Sequence, residues 1–160
     1  MRRCVPILIL IVVALLTTAA YHLLEPDWVL FRKGETYFSK KEYSQAIPCY
    51  VRLLKSGFVA PKLLNHLGTS YVAINDFEKA MPIFQNIIRH SPNKLSALKE
   101  LANIYIMFGR FNEAINLYQI LLRNQPDNIS ARILLARVLT WTGRFEEAII
   151  EYKKALGEKI

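Results

Sequence analysis

The sequence is poor in the residues that build reactive centres. Its three histidines, His22, His66 and His90, stand far apart, and its two cysteines are Cys4 and Cys49. No His/Cys/Asp/Glu group has the close spacing that holds a metal ion. No glycine-rich loop forms a phosphate cradle, and no serine or cysteine is set with a histidine in a nucleophile motif. These absences argue against an enzyme and against a bound cofactor or metal. The cysteines are not read as disulfide partners, because a spanning helix over the apolar run that Cys4 borders would put them on different sides of a membrane and cleavage would remove Cys4. Pro/Gly/Ser-rich and low-complexity stretches are also lacking, so the chain beyond that run is expected to pack. The formal charge is +8, yet the basic residues are scattered among acids, without a Lys/Arg block or a base-reading motif. A nucleic-acid partner is therefore not expected; the mild basicity favours an anionic surface or an acidic partner.

What is present begins with an apolar run. After Arg2 and Arg3, residues 4–24 read CVPILILIVVALLTTAAYHLL. As a helix at about 1.5 Å per residue this stretch would match a hydrocarbon core of roughly 30 Å. Residues 1–24 read either as an uncleaved transmembrane anchor or as a signal peptide cleaved near Thr18-Ala19-Ala20. Apolarity continuing through Tyr21, Leu23 and Leu24 favours the anchor, with Tyr21 and Trp28 as interfacial aromatics. Both arginines then stay on the cytoplasmic side, so the following domain is expected to be extracytoplasmic. The cleaved alternative gives a secreted or periplasmic protein.

Beyond residue 26 the sequence repeats with a period of about 34 residues. An aromatic recurs at Tyr43, Phe77, Phe111 and Phe145, then alanine at Ala46, Ala80, Ala114 and Ala148, then an aromatic at Tyr50, Phe84, Tyr118 and Tyr152. Spacings of three and four place these on one helix face. The first half of each unit has its own stripe: Leu30, Leu64, Leu98 and Arg132; Lys33, Leu67, Leu101 and Leu135; Tyr37, Tyr71, Tyr105 and Leu139. Small residues at Gly34, Gly68, Ala102 and Ala136 allow two helices to approach. Turn residues at Lys40-Lys41, Asn75-Asp76, Gly109-Arg110 and Gly143-Arg144 separate paired helices, and Pro92-Asn93 and Pro126-Asp127 separate units. The Asn or Asp after each proline, Asp27 included, is expected to cap the next helix. Lys33, Phe58, Arg132 and Leu139 depart from the pattern, and Pro48 and Pro82 fall early in second helices, where a lost donor costs less.

This pattern resembles the tetratricopeptide-repeat (TPR) family. The resemblance implies an all-α solenoid of four helix-turn-helix repeats over 27–160, at 27–60, 61–94, 95–128 and 129–160, preceded by the N-terminal anchor or signal helix. It further implies a concave groove lined by the first helix of each pair. Carried onto this sequence, the groove-facing residues are Phe31, Glu35 and Phe38; Asn65, Thr69 and Val72; Lys99, Asn103 and Ile106; and Arg137, Thr140 and Trp141. Such a lining suits a peptide or helix of a protein client, with Asn65 and Asn103 bonding its backbone and Lys99 and Arg137 meeting carboxylates. The carboxylate-gripping residues of chaperone-binding members are absent, since the matching places hold Phe31, Glu35, His66, Ser96 and Glu100. The expected function is a membrane-tethered adaptor or assembly factor for an envelope or secreted client. The alternative is a scaffold subunit that self-associates through its C-terminal repeat, where Ile149, Ile150, Leu156 and Ile160 are expected to stay exposed.

Overall fold

The computed structural model describes Val13 and residues 26–158 apart from 92 and 93. The apolar run at 4–24, Val13 excepted, lies outside the described residues, as do Asn93 and Ile160. Among the described residues no helix is long and apolar enough to cross a membrane.

Eight helices and no strand make up the described residues: α1 (Asp27–Ser39), α2 (Tyr43–Lys55), α3 (Pro61–Ala73), α4 (Phe77–His90), α5 (Leu95–Met107), α6 (Phe111–Asn124), α7 (Ile129–Trp141) and α8 (Phe145–Leu156). Apolar residues at three- and four-residue spacing drive each helix, and the same spacing decides which face it buries. The chain divides into two compact units, one ending at Phe58 and one beginning at Val59.

The first unit is the α1–α2 hairpin. Leu30, Ala46, Cys49, Tyr50 and Leu53 are buried in it. Gly34 is needed for the close approach: a Cβ there would lie 2.8 Å from Tyr50 Cε1. Phe31 packs between Tyr50 and Phe58, with ring centroids 6.5 and 5.7 Å away. Asp27 is not the cap expected of it. Pro26 holds the N-cap position without a side-chain bond, and Asp27 begins the first turn. Its Oδ1 instead accepts a 3.0 Å bond from Ser56 Oγ, joining the two ends of the hairpin.

The second unit stacks three hairpins, α3–α4, α5–α6 and α7–α8, around one core. The alanines of the second-helix stripe, Ala80, Ala114 and Ala148, are buried, as are Phe84, Tyr118, Leu67, Leu101 and Leu135. Fully burying one such Leu or Phe contributes about 1.5–3 kcal/mol. The aromatics that open α4 and α6 reach into the next hairpin, Phe77 to Phe108 at 5.9 Å and Phe111 to Trp141 at 6.1 Å.

Several expectations need correction here. Phe145 and Tyr152 hold stripe positions but are 57% and 37% exposed. Within the second unit their counterparts Phe84 and Tyr118 are buried and Phe77 and Phe111 half-buried, each hairpin being followed by another, whereas among the described residues no helix follows α8. Arg132, standing where the pattern has leucine, is not an unpaired charge. Its guanidinium bonds Glu151 at 2.7 Å and also donates to the Pro126 carbonyl. The cap of α7 is Asn128, one residue past the expected Asp127; its Oδ1 accepts from the Ala131 N–H at 3.0 Å.

The turns inside the hairpins share one backbone device. Lys41, Asn75, Gly109 and Gly143, each 34 residues from the next, have φ of 62°, 61°, 67° and 75°. This left-handed residue lets the chain reverse after the first helix before the second begins. Pro48 and Pro82 each lie inside a second helix, at its sixth residue, and face solvent.

Candidate functional site

The first helices of the last two hairpins, α5 and α7, enclose a cleft of about 230 Å³. Asn103, Ile106 and Met107 line one side and Leu134, Arg137, Val138 and Trp141 the other. Helical periodicity puts them there: 103, 106 and 107 form one face of α5, and 134, 137, 138 and 141 form one face of α7. Val138 is buried at the floor, whereas Met107 and Trp141 stand 62% and 51% exposed at the mouth.

Two ring systems fix the wall. Trp141 packs on Phe111, and the Arg137 guanidinium lies over the Trp141 ring, 5.3 Å from its centroid. On the opposite side Asn103 Oδ1 accepts a 2.8 Å bond from the Tyr118 hydroxyl. Burial pushes that hydroxyl up to about 12; Glu100 adds to the rise and Arg137 opposes it. Asn103 is thus anchored by the core, with only its amide N–H₂ left to face a ligand.

Four of the twelve sequence-predicted groove residues meet in this cleft: Asn103, Ile106, Arg137 and Trp141. Lys99 is exposed one turn before Asn103 on α5, and Thr140 is exposed on α7 with its hydroxyl donating to the Ala136 carbonyl at 2.9 Å. On α3, Thr69 is half-buried and Val72 packs against the core. Asn65 Nδ2 donates to the Pro61 carbonyl at 2.9 Å, while its Oδ1 is buried without a hydrogen bond among the described residues.

The remaining three belong to the first unit. Phe31 packs inside its own hairpin. Phe38 meets Tyr43 edge-on, with centroids 5.6 Å apart. Glu35 Oε1 accepts a 2.8 Å bond from the Tyr50 hydroxyl, whose acidity is suppressed by burial and then by that carboxylate.

Sequence profiles of the family described as Tetratricopeptide repeat match residues 71–130 and 108–159, and a second such profile matches residues 29–56. The first profile alone spans more than half of the 160 residues. The chain belongs to the tetratricopeptide-repeat family.

Solved TPR structures share its fold. A crystal structure of MamA superposes with a TM-score of 0.76 at 21% identity, covering 85% of this chain and 82% of that one. A MamA RS-1 ArsTM double mutant gives 0.77 at 17% identity, with 89% and 80% covered. YrrB, described as a TPR protein with an unusual peptide-binding site, gives 0.74 at 20% identity, with 84% and 71% covered. No curated protein sequence matches the chain significantly.

Within this TPR array, sequence reasoning passed over Met107, Leu134 and Val138 as lining residues. The repeat register held a signal for Met107, which stands 34 residues before Trp141 and occupies the same place on its first helix. Leu134 and Val138 follow once Arg137 and Trp141 are set on one face, since 134, 137, 138 and 141 lie at helical spacing.

Proposed function

We propose that this TPR chain is a protein-interaction module that holds a peptide or helix of a client protein in the cleft between α5 and α7. The observation that carries the reading is the convergence there of Asn103, Ile106, Arg137 and Trp141 from two successive first helices. A volume of about 230 Å³ is below the 300–1,000 Å³ of typical small-molecule sites, and it fits one or two side chains of a larger partner. We further propose that residues 4–24 tether the module to a membrane, with the repeats on the extracytoplasmic side. The length and apolarity of that run and the arginines before it support this. Signal cleavage and release is the rival. N-terminal sequencing of the mature protein decides between them, and a chain beginning near Tyr21 ends the tether reading.

The groove reading is tested by placing a photoreactive residue at Met107, whose exposed side chain lines the cleft without bonding the core. Crosslinking in cells should trap one or a few defined proteins, and the product should vanish when the probe is moved to solvent-facing Arg123. Equal labelling from both positions would refute it.

A second reading rests on a different surface. Phe145, Ile149, Tyr152 and Leu156 leave one face of α8 apolar and exposed among the described residues, which supports self-association through the last hairpin. Light scattering across a concentration series measures it; a constant monomer mass excludes this scaffold reading.

A further inference from the structure

The cleft between α5 and α7 also carries information about the chemistry of its occupant, granted that it is the protein-binding site proposed above. Its floor and walls are apolar, formed by Ile106, Leu134 and Val138 with Met107 at the mouth. Arg137 stands at the rim, its guanidinium 5.3 Å from the centroid of the Trp141 ring. This cation–π contact leaves the guanidinium N–H groups without a protein acceptor among the described residues, open to a planar carboxylate. Lys99 adds a second exposed cation on α5, one turn from Asn103.

Among the described residues neither Arg137 nor Lys99 has an ion-pair partner, whereas Arg110, Arg132 and Arg144 are each paired with a glutamate. Glu100 is the nearby acid; it acts on the Tyr118 hydroxyl but forms no ion pair with Arg137. The cleft therefore joins an apolar pit to a rim cation that holds no ion-pair partner among the described residues.

We propose that its ligand is an acidic peptide segment whose bulky aliphatic or aromatic side chain fills the pit while a neighbouring carboxylate pairs with Arg137. Apolar burial supplies the affinity, and the cation supplies the discrimination. Segments with lysine beside the anchor meet Arg137 as a like charge and are rejected.

The test uses the full chain, kept in mild detergent because of its apolar N-terminal run, and fluorescence anisotropy with four pools of labelled dodecapeptides. Three pools carry a central Leu or Phe flanked by Asp/Glu, by Gln or by Lys; the fourth places Ser between acidic flanks. The acidic apolar pool should bind about tenfold or more tighter than the others. Arg137→Gln should remove most of that margin without moving the thermal melt, and added salt should shrink it.

Met107→Glu reports location, because this exposed residue lines the pit. If the acidic and Gln pools bind alike and both are lost in Met107→Glu, the acidic preference is overturned and the cleft stays a protein-binding site. If the acidic pool binds indifferently to both variants, the ligand sits elsewhere and both proposals fall. If no pool binds, the acidic-peptide proposal is overturned, and the crosslink from Met107 judges the cleft separately.

Discussion

Asn103 serves two surfaces at once, because its carbonyl holds a core hydroxyl while its amide faces the cleft. Tyr118 is fully buried, so Asn103→Ala strands its hydroxyl and should lower unfolding stability by about 1–3 kcal/mol in urea denaturation. Adding Tyr118→Phe should recover part of that loss, since no polar group is then left alone. Glu35 and Tyr50 form the same pair in the first unit. This was legible only in part: 35 with 50 and 103 with 118 share a spacing of fifteen, and Phe84, without a hydroxyl, stands opposite Thr69. A reading by helix face alone assigned Glu35 and Asn103 wholly to the groove, since it did not ask what the paired helix needs. Arg132 and Glu151 were hidden for the same reason. They occupy the register places of Leu98 and Leu117, so the ion pair replaces an apolar pair as a unit. Arg132→Leu leaves Glu151, only 14% exposed, with Lys154 as its remaining cation. It should cost about 1–3 kcal/mol. Arg132→Leu with Glu151→Leu should return close to the parent in the same denaturation assay.

At the scale of the helical element, the left-handed turn residue decides how well each hairpin closes. Gly109 and Gly143 adopt positive φ freely, but Lys41 and Asn75 do so against the clash of their Cβ. Lys41→Gly should stabilise the α1–α2 hairpin by about 0.5–1 kcal/mol, and Asn75→Gly should gain less because asparagine tolerates this conformation. Paired thermal melts measure the difference. Gly143→Ala should go the other way. The turns and the helix faces were readable in advance because they follow from periodicity and from residues with one dominant backbone preference. Caps were less so: Pro126-Asp127-Asn128 holds two good capping residues, and which one caps depends on where the chain turns. The exposure of Phe145 was also illegible from its own helix, since its burial depends on what lies beyond it.

For the whole molecule, each unit keeps a buried tyrosine whose hydroxyl is harder to ionise than the ordinary value of 10.0: Tyr50 in the first and Tyr118, at about 12, in the second. With folded values raised, their contribution is complete below pH 10 and is lost as pH rises toward the folded values, because the unfolded chain ionises first. Stability should therefore fall between about pH 10 and 12, and Tyr118→Phe should flatten the decline of the second unit, followed by helical circular dichroism. The all-helical TPR class was evident from the 34-residue register, since alanines and aromatics recurring at three- and four-residue spacings give every repeat the same buried helix face. The groove was legible only in outline, because which lining residues converge depends on how successive first helices sit. Trp141 ties these levels together. The indole that receives Phe111 from the third hairpin is also one wall of the cleft. A peptide held in the proposed cleft should tighten the seam between the last two hairpins, and in a Trp28→Phe background the emission of Trp141 should register occupancy and local rigidity together.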